Sequence, residues 1–219
     1  MHSKNNIHIF FPVTCLILFI LISVLSWREQ LELIDSLIID GLARWISPAI
    51  VMLMEGITKI GSGETILILT FLLSLYLLFK KLWKEIIFLY VLTLGGILLN
   101  FLLKVGFQRQ RPGEMSSIEV FGNSLEITSY SFPSGHTMRS VLLFSFLIYL
   151  SLVYLNKLTI KTAIIFSLIT MIFLVAISRI IIGAHFPSDI FAAITISITW
   201  FYLCLSGIRL TLLKELRFL

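Results

Sequence analysis

Charge and cysteine are both scarce in this chain, and each shortage removes a class of protein. Of its 219 residues, 13% are Asp, Glu, Lys or Arg, whereas 58% are apolar. With a mean hydropathy of +1.01, that balance lies far outside the range of a water-soluble domain. The two cysteines, Cys15 and Cys204, fall inside apolar runs. They indicate neither a disulfide framework nor a thiolate metal site, and both are expected to face lipid or to pack between helices. A contiguous basic block is missing too. The net charge of +5 comes from Lys and Arg residues that punctuate hydrophobic runs, which argues against a nucleic-acid partner. No internal repeat or low-complexity linker divides the sequence, so residues 1–219 are read as a single transmembrane domain.

What is present is apolar length. A helix needs about 20 mainly apolar residues to cross the hydrocarbon core. Six stretches meet that need, at about 7–27, 63–79, 84–103, 137–156, 161–182 and 187–208. The first is too long for the core of a signal peptide, and no small-x-small cleavage site follows it, so it is read as a retained helix. The expected fold class is an all-α integral membrane six-helix bundle. Between spans one and two, "REQLELIDSLIIDGLARW" places Leu31, Ile34, Ile38, Leu42 and Trp45 at helical spacing opposite Glu29, Glu32, Asp40 and Arg44. This predicts an amphipathic interfacial helix that braces the bundle, with no catalytic part for its acids. Pro48, Gly61 and Gly63 then break the run before the second span.

The basic turn "KKLWK" is the best inside marker. It places both termini in the cytoplasm, and three polar stretches then open on the outer face. The first, "KVGFQRQRP", holds Lys104 and Arg111; either residue alone is read as snorkelling to headgroups. The second, "SFPSGHTMRS", places Ser134, Gly135 and His136 where an apolar helix begins. The free N–H groups of that helix start favour an anion, although a plain serine N-cap has the same sequence. The third, "SRIIIGAHFPSD", holds Arg179, whose charge would cost about 2.5–3.5 kcal/mol at the centre of a span and so demands a partner. It also holds His185 and Asp189 four residues apart, where the carboxylate can fix the imidazole tautomer or simply cap the next helix.

Together the three stretches resemble the signature of the type 2 phosphatidic acid phosphatase superfamily. Lys104 is followed after six residues by Arg111 and Pro112; Pro133, Ser134, Gly135 and His136 come next; then Ser178 and Arg179, five residues, His185, three residues and Asp189. The order of the motifs among six spans is similar to the bacterial membrane branch, whose members include phosphatidylglycerophosphate phosphatase B-like and undecaprenyl diphosphate phosphatases. The resemblance implies a metal-independent lipid phosphatase. His185 would be the nucleophile, Asp189 would orient it, and His136 would protonate the leaving oxygen. Lys104, Arg111, Arg179, Ser134 and the Gly135 backbone would hold the phosphate. It further implies a plasma-membrane location and a lipid phosphate as partner, such as phosphatidylglycerophosphate, undecaprenyl diphosphate or phosphatidate. No cofactor is expected: two His and an Asp are zinc ligands in type, but converging cations would repel a divalent ion. Arg109 and Arg139 lie outside the signature, either gripping a second phosphate or anchoring to anionic lipid. The rival readings are a channel, transporter or assembly protein without hydrolase activity, because intramembrane charges also mark ion pathways, and a phosphatase for a soluble phosphate ester such as a sugar phosphate.

Overall fold

A chain surrounded by lipid must satisfy its peptide groups internally, and the long apolar runs accordingly become helices. A computed structural model describes residues 2–112, 118–120, 123–125 and 130–215. In chain order these form α1 (His2–Trp27), α2 (Glu32–Ala43), α3 (Pro48–Thr58), a 3₁₀ turn at Lys59–Gly61, α4 (Gly63–Phe79), α5 (Trp83–Phe107), α6 (Gly135–Tyr154), α7 (Leu158–Ile181) and α8 (Pro187–Glu215). Five stretches within α1, α5, α6, α7 and α8 are long and apolar enough to cross a membrane. The remaining expected span, the second, is α4, with 17 residues, about 25 Å of helix and at the short end of what spans a bilayer. Between α5 and α6, Ile118–Val120 pairs antiparallel with Asn123–Leu125. The remainder of 113–129 lies outside the described residues.

The expected interfacial helix forms as α2, and a second short helix, α3, follows it where the sequence had suggested only a break. Ser47 accepts a hydrogen bond from the Ile50 N–H, with Pro48 in the first turn, and this starts α3 anew. The axes of α2 and of the stretch Pro48–Gly61 differ by 119°. The face that α2 turns inward is also not its apolar stripe. Ile34, Ile38 and Trp45 are exposed, whereas Asp35 is buried. The reason is the solvent: a helix bathed in lipid or lying at its surface directs apolar residues outward and keeps its charge for the protein.

In the bundle α8 packs on α1, α5 and α6, while α6 also packs on α5 and α7, and α3 lies on α7. The core at the α5–α6–α8 crossing is aromatic: Phe88 meets Phe146 edge-on with ring centres 5.4 Å apart. Cys15 and Cys204 are both buried, so they pack between helices. Close approach of α5 depends on small residues. A Cβ at Gly96 would stand 2.2 Å from Cδ1 of Leu142, and the neighbouring Trp200 indole donates to the Leu92 carbonyl at 3.2 Å.

Gly96→Val is expected to destabilise the purified protein by about 1–3 kcal/mol through overpacking. Gly106→Ala, at a position where an added Cβ meets nothing within 4 Å, should be neutral or slightly stabilising. Denaturation of both variants in the same detergent checks the contrast.

Candidate active site

The C-terminal ends of α5 and α7 and the N-terminal ends of α6 and α8 meet at one end of the bundle, and every motif residue lies there. At the end of α5, Gln108 adopts a left-handed conformation and turns the chain. The Arg109 carbonyl then accepts the Ser131 N–H at 2.7 Å, and Lys104 Nζ donates to the carbonyl of Tyr130. Phe132 is the wedge beneath this crossing. It is fully buried, with its ring centre 4.6 Å from that of Phe107 and 6.3 Å from that of Phe19. Asn100 Nδ2 donates to the Pro133 carbonyl at 3.1 Å, so the stretch entering α6 is fastened to α5.

Ser134 caps α6. Its hydroxyl accepts from the Thr137 hydroxyl at 3.0 Å and, at longer range, from the Thr137 N–H. The Ser134 N–H donates to the Asp189 carbonyl at 3.2 Å, joining the starts of α6 and α8. A side chain at Gly135 would meet Asn100 Oδ1 at 3.0 Å and Arg139 Nη1 at 3.1 Å. Glycine is needed there for that close approach, and the helix start is left bare for an anion.

His185 and Asp189 are almost wholly buried, 1% and 0% exposed. The carboxylate lies 3.5 Å from Nδ1 of the ring, and Ser131 fills the gap: its hydroxyl donates to Asp189 Oδ2 and stands 3.3 Å from His185 Nδ1. Asp189 Oδ2 also accepts the Phe186 N–H at 2.9 Å, as an acid in the first helical turn does when it reaches back to the cap. An acceptor at Nδ1 selects the tautomer with its proton there, and Nε2 keeps its lone pair. Burial, reinforced by the charges of Lys104, Arg111 and Arg179, holds the His185 pKa well below the ordinary imidazole range. Burial and the neighbouring cations thus both favour the neutral ring.

The cations arrive from two helix ends. Lys104 is on the last turn of α5, Arg111 follows it and donates to the Ala184 carbonyl at 3.3 Å, and Arg179 is on the last turn of α7. Arg179 is 6% exposed. Its Nη1 donates to Thr58 of α3 at 2.9 Å, whereas its Nε is buried with no hydrogen-bond partner among the described residues. Such an orphaned donor is costly unless a ligand completes it.

The two unassigned arginines have structural partners. Arg139 Nη2 lies 3.4 Å from His136 Nδ1, with its Nε donating to the Gly61 carbonyl at 3.4 Å. Donation to Nδ1 leaves the His136 proton on Nε2. Arg109 bridges two carboxylates, Asp189 and Asp35, at 2.8 Å each. Sequence reasoning thus placed the motif residues but missed Ser131, Thr58 and Asp35. An acid amid Leu33, Ile34, Leu37 and Ile38 was the available signal for Asp35, since in a membrane it requires a partner.

Removing one neighbouring cation should make protonation of His185 less costly and raise its pKa. Lys104→Gln is therefore expected to move the acid limb of the kcat/KM profile to higher pH than in the parent protein assayed on the same substrate, so that ionisation of the substrate cancels. A limb that stays in place or moves to lower pH would contradict this electrostatic picture.

Residues 84–210, more than half of the chain, match the PAP2 superfamily. Phosphatidylglycerophosphatase B of Bacillus subtilis (strain 168) is 26% identical over 194 residues, covering 88% of this chain and 92% of that protein. The crystal structure of a transmembrane PAP2 type phosphatidylglycerolphosphate phosphatase from Bacillus subtilis superposes with a TM-score of 0.76 at 24% identity, over 90% of this chain and 96% of the other. Aquifex aeolicus LpxE superposes with a TM-score of 0.57 at 23% identity, over 77% and 93%. With the motif residues gathered at one end of such a bundle, the chain belongs to the PAP2 superfamily.

Proposed function

We propose that this membrane lipid phosphatase works through a phosphohistidine on His185. The observation that carries the reading is the convergence on one buried, Nδ1-anchored imidazole of Lys104, Arg111 and Arg179, with the unpartnered Nε of Arg179 among their donors. Nε2 of His185 attacks phosphorus, the P–O bond to the lipid breaks, and the leaving oxygen takes the Nε2 proton of His136. Asp189 stabilises the positive charge that the phosphorylated ring then carries. Water, giving a proton back to His136, attacks the phosphohistidine and releases phosphate. The negative charge of the bound phosphate offsets the surrounding cations, so that His136 takes up a second proton as Arg139, 3.4 Å away in the free site, lets go of Nδ1. The resulting imidazolium delivers its Nε2 proton and returns to the neutral ring. Lys104, Arg111 and Arg179, with Ser134 and the Gly135 N–H, hold the phosphoryl oxygens. These fixed charges supply the stabilisation that metal ions provide in other phosphoryl-transfer sites.

The substrate is an amphiphile whose phosphate reaches the end of the bundle while its tail stays in lipid. A cavity of about 330 Å³ beside Arg111 supports this reading: Glu29, Glu32 and Arg109 give it polar walls, and Trp27 and Phe107 give it an apolar side. Phosphatidylglycerophosphate, the substrate in the names of the Bacillus relatives, heads the candidates, ahead of undecaprenyl diphosphate and phosphatidate. The site faces outward and both termini face the cytoplasm. Lys80 and Lys81 between α4 and α5, Lys84 at the start of α5, Lys157 between α6 and α7 and Lys161 at the start of α7 mark the opposite end of the bundle.

Phosphate release by the purified protein from these three lipids, and from a sugar phosphate as the soluble comparison, tests the reading. Release is expected from at least one lipid and to survive EDTA. His185→Ala should lower kcat by about 10³-fold or more, and His136→Ala by about 10²–10⁴-fold. Release from no lipid, or full activity in His185→Ala, would refute the proposal.

Orientation has its own check. A cysteine placed in the α4–α5 turn of a variant lacking Cys15 and Cys204 should resist an impermeant maleimide in intact cells and react after permeabilisation. Labelling before permeabilisation would reverse the topology.

A further inference from the structure

Asp35 lies 154 positions before Asp189 in the sequence, outside every motif, yet α2 delivers it to the start of α8. It is 2% exposed and accepts from Arg109 Nη2 at 2.8 Å, from the Ser188 N–H at 2.9 Å and from the Ser188 hydroxyl at 2.5 Å. Arg109 turns its other nitrogen to Asp189 Oδ1 at 2.8 Å and to Ser188 Oγ at 2.7 Å. Its guanidinium lies over the Phe186 ring, 4.2 Å from the centre. One planar fork thereby spans two carboxylates, a geometry that suits arginine and that a lysine ammonium does not reproduce.

We infer that Asp35, acting through Arg109, is a positioning residue for the His185–Asp189 pair, an inference that rests on the phosphatase reading above. Two consequences of the geometry support it. Asp189 Oδ2 is occupied by Ser131 and the Phe186 N–H, and Arg109 holds Oδ1, so the orientation of the carboxylate depends on where the guanidinium stands. Asp35 fixes the far side of that guanidinium and also binds a free N–H in the first turn of α8.

The second consequence is charge. Asp35, Arg109 and Asp189 together carry one net negative charge. Without Asp35, the guanidinium would neutralise Asp189 outright, and the positive charge that develops on the His185 ring would lose its counterpart. This role differs from gripping a second phosphate, because both terminal nitrogens of Arg109 are already engaged by protein. It also gives α2 a task beyond bracing the bundle.

The test uses the full chain in detergent with the lipid phosphate that it hydrolyses best. Asp35→Asn is expected to lower kcat by about 10- to 100-fold through misplacement of the pair while KM stays within about threefold. Arg109→Lys, which keeps the charge but loses the fork, should behave alike. The double variant should fall no more than about threefold below the worse single variant, because both act through one contact. Rates are expressed per folded protein, judged by gel filtration and melting temperature. If Asp35→Asn does not fold, Arg109→Lys alone decides by the same split. A raised KM with kcat intact would place Arg109 on the substrate, and unchanged kinetics or multiplicative losses would also overturn the inference. A parent protein inactive on every lipid phosphate would instead refute the phosphatase reading itself.

Discussion

Lys104, Arg111 and Arg179 bring like charges together beside a histidine at the end of an apolar bundle, and that repulsion sets the terms for the surrounding structure. The fold contains it by spacing and by pairing. Each cation comes from a different segment, and each is tied to neutral acceptors: the Tyr130 carbonyl, the Ala184 carbonyl and the Thr58 hydroxyl. These bonds hold direction without cancelling charge. The carboxylates are kept one step back. Asp189 and Asp35 share Arg109.

The helix ends explain why the site lies where it does. Two N-termini, those of α6 and α8, and two C-termini, those of α5 and α7, meet at one face. The N-termini supply free N–H groups, whereas the C-termini supply the turns on which Lys104 and Arg179 reach the boundary. Phe132 and Asn100 hold the entering loop, and Gly135 admits Asn100 and Arg139 alongside it. Precise placement of a few polar groups on rigid apolar elements is what phosphoryl transfer chiefly requires.

Much of this was legible in the sequence because membrane helices and helix-end motifs are local patterns. The long apolar runs marked the spans, and the spacing of His185 and Asp189 suggested a fixed tautomer. What stayed hidden was long-range. The stripe Ile34, Ile38 and Trp45 marked an interfacial helix, but nothing local showed that Asp35 is the member of α2 that turns into the protein. α3 was missed because Pro48 reads as a break as readily as a helix start. Arg109 and Arg139 looked like spare cations for lipid or a second phosphate, since no local pattern reveals partners 74, 80 and 78 positions away. Ser131 was quoted as the start of a motif, but its bridge to Asp189 spans 58 positions.

The central claim is that His185, held neutral by burial and oriented by Asp189 and Ser131, forms a covalent bond to phosphorus. Rapid mixing with an excess of lipid phosphate, an alkaline quench that preserves phosphoramidates, and mass spectrometry of the peptide carrying His185 read this step directly. The account predicts a phosphoryl adduct on His185 that forms in a burst before steady-state release. An adduct on His136, or turnover with no adduct on any histidine and no burst, would contradict it.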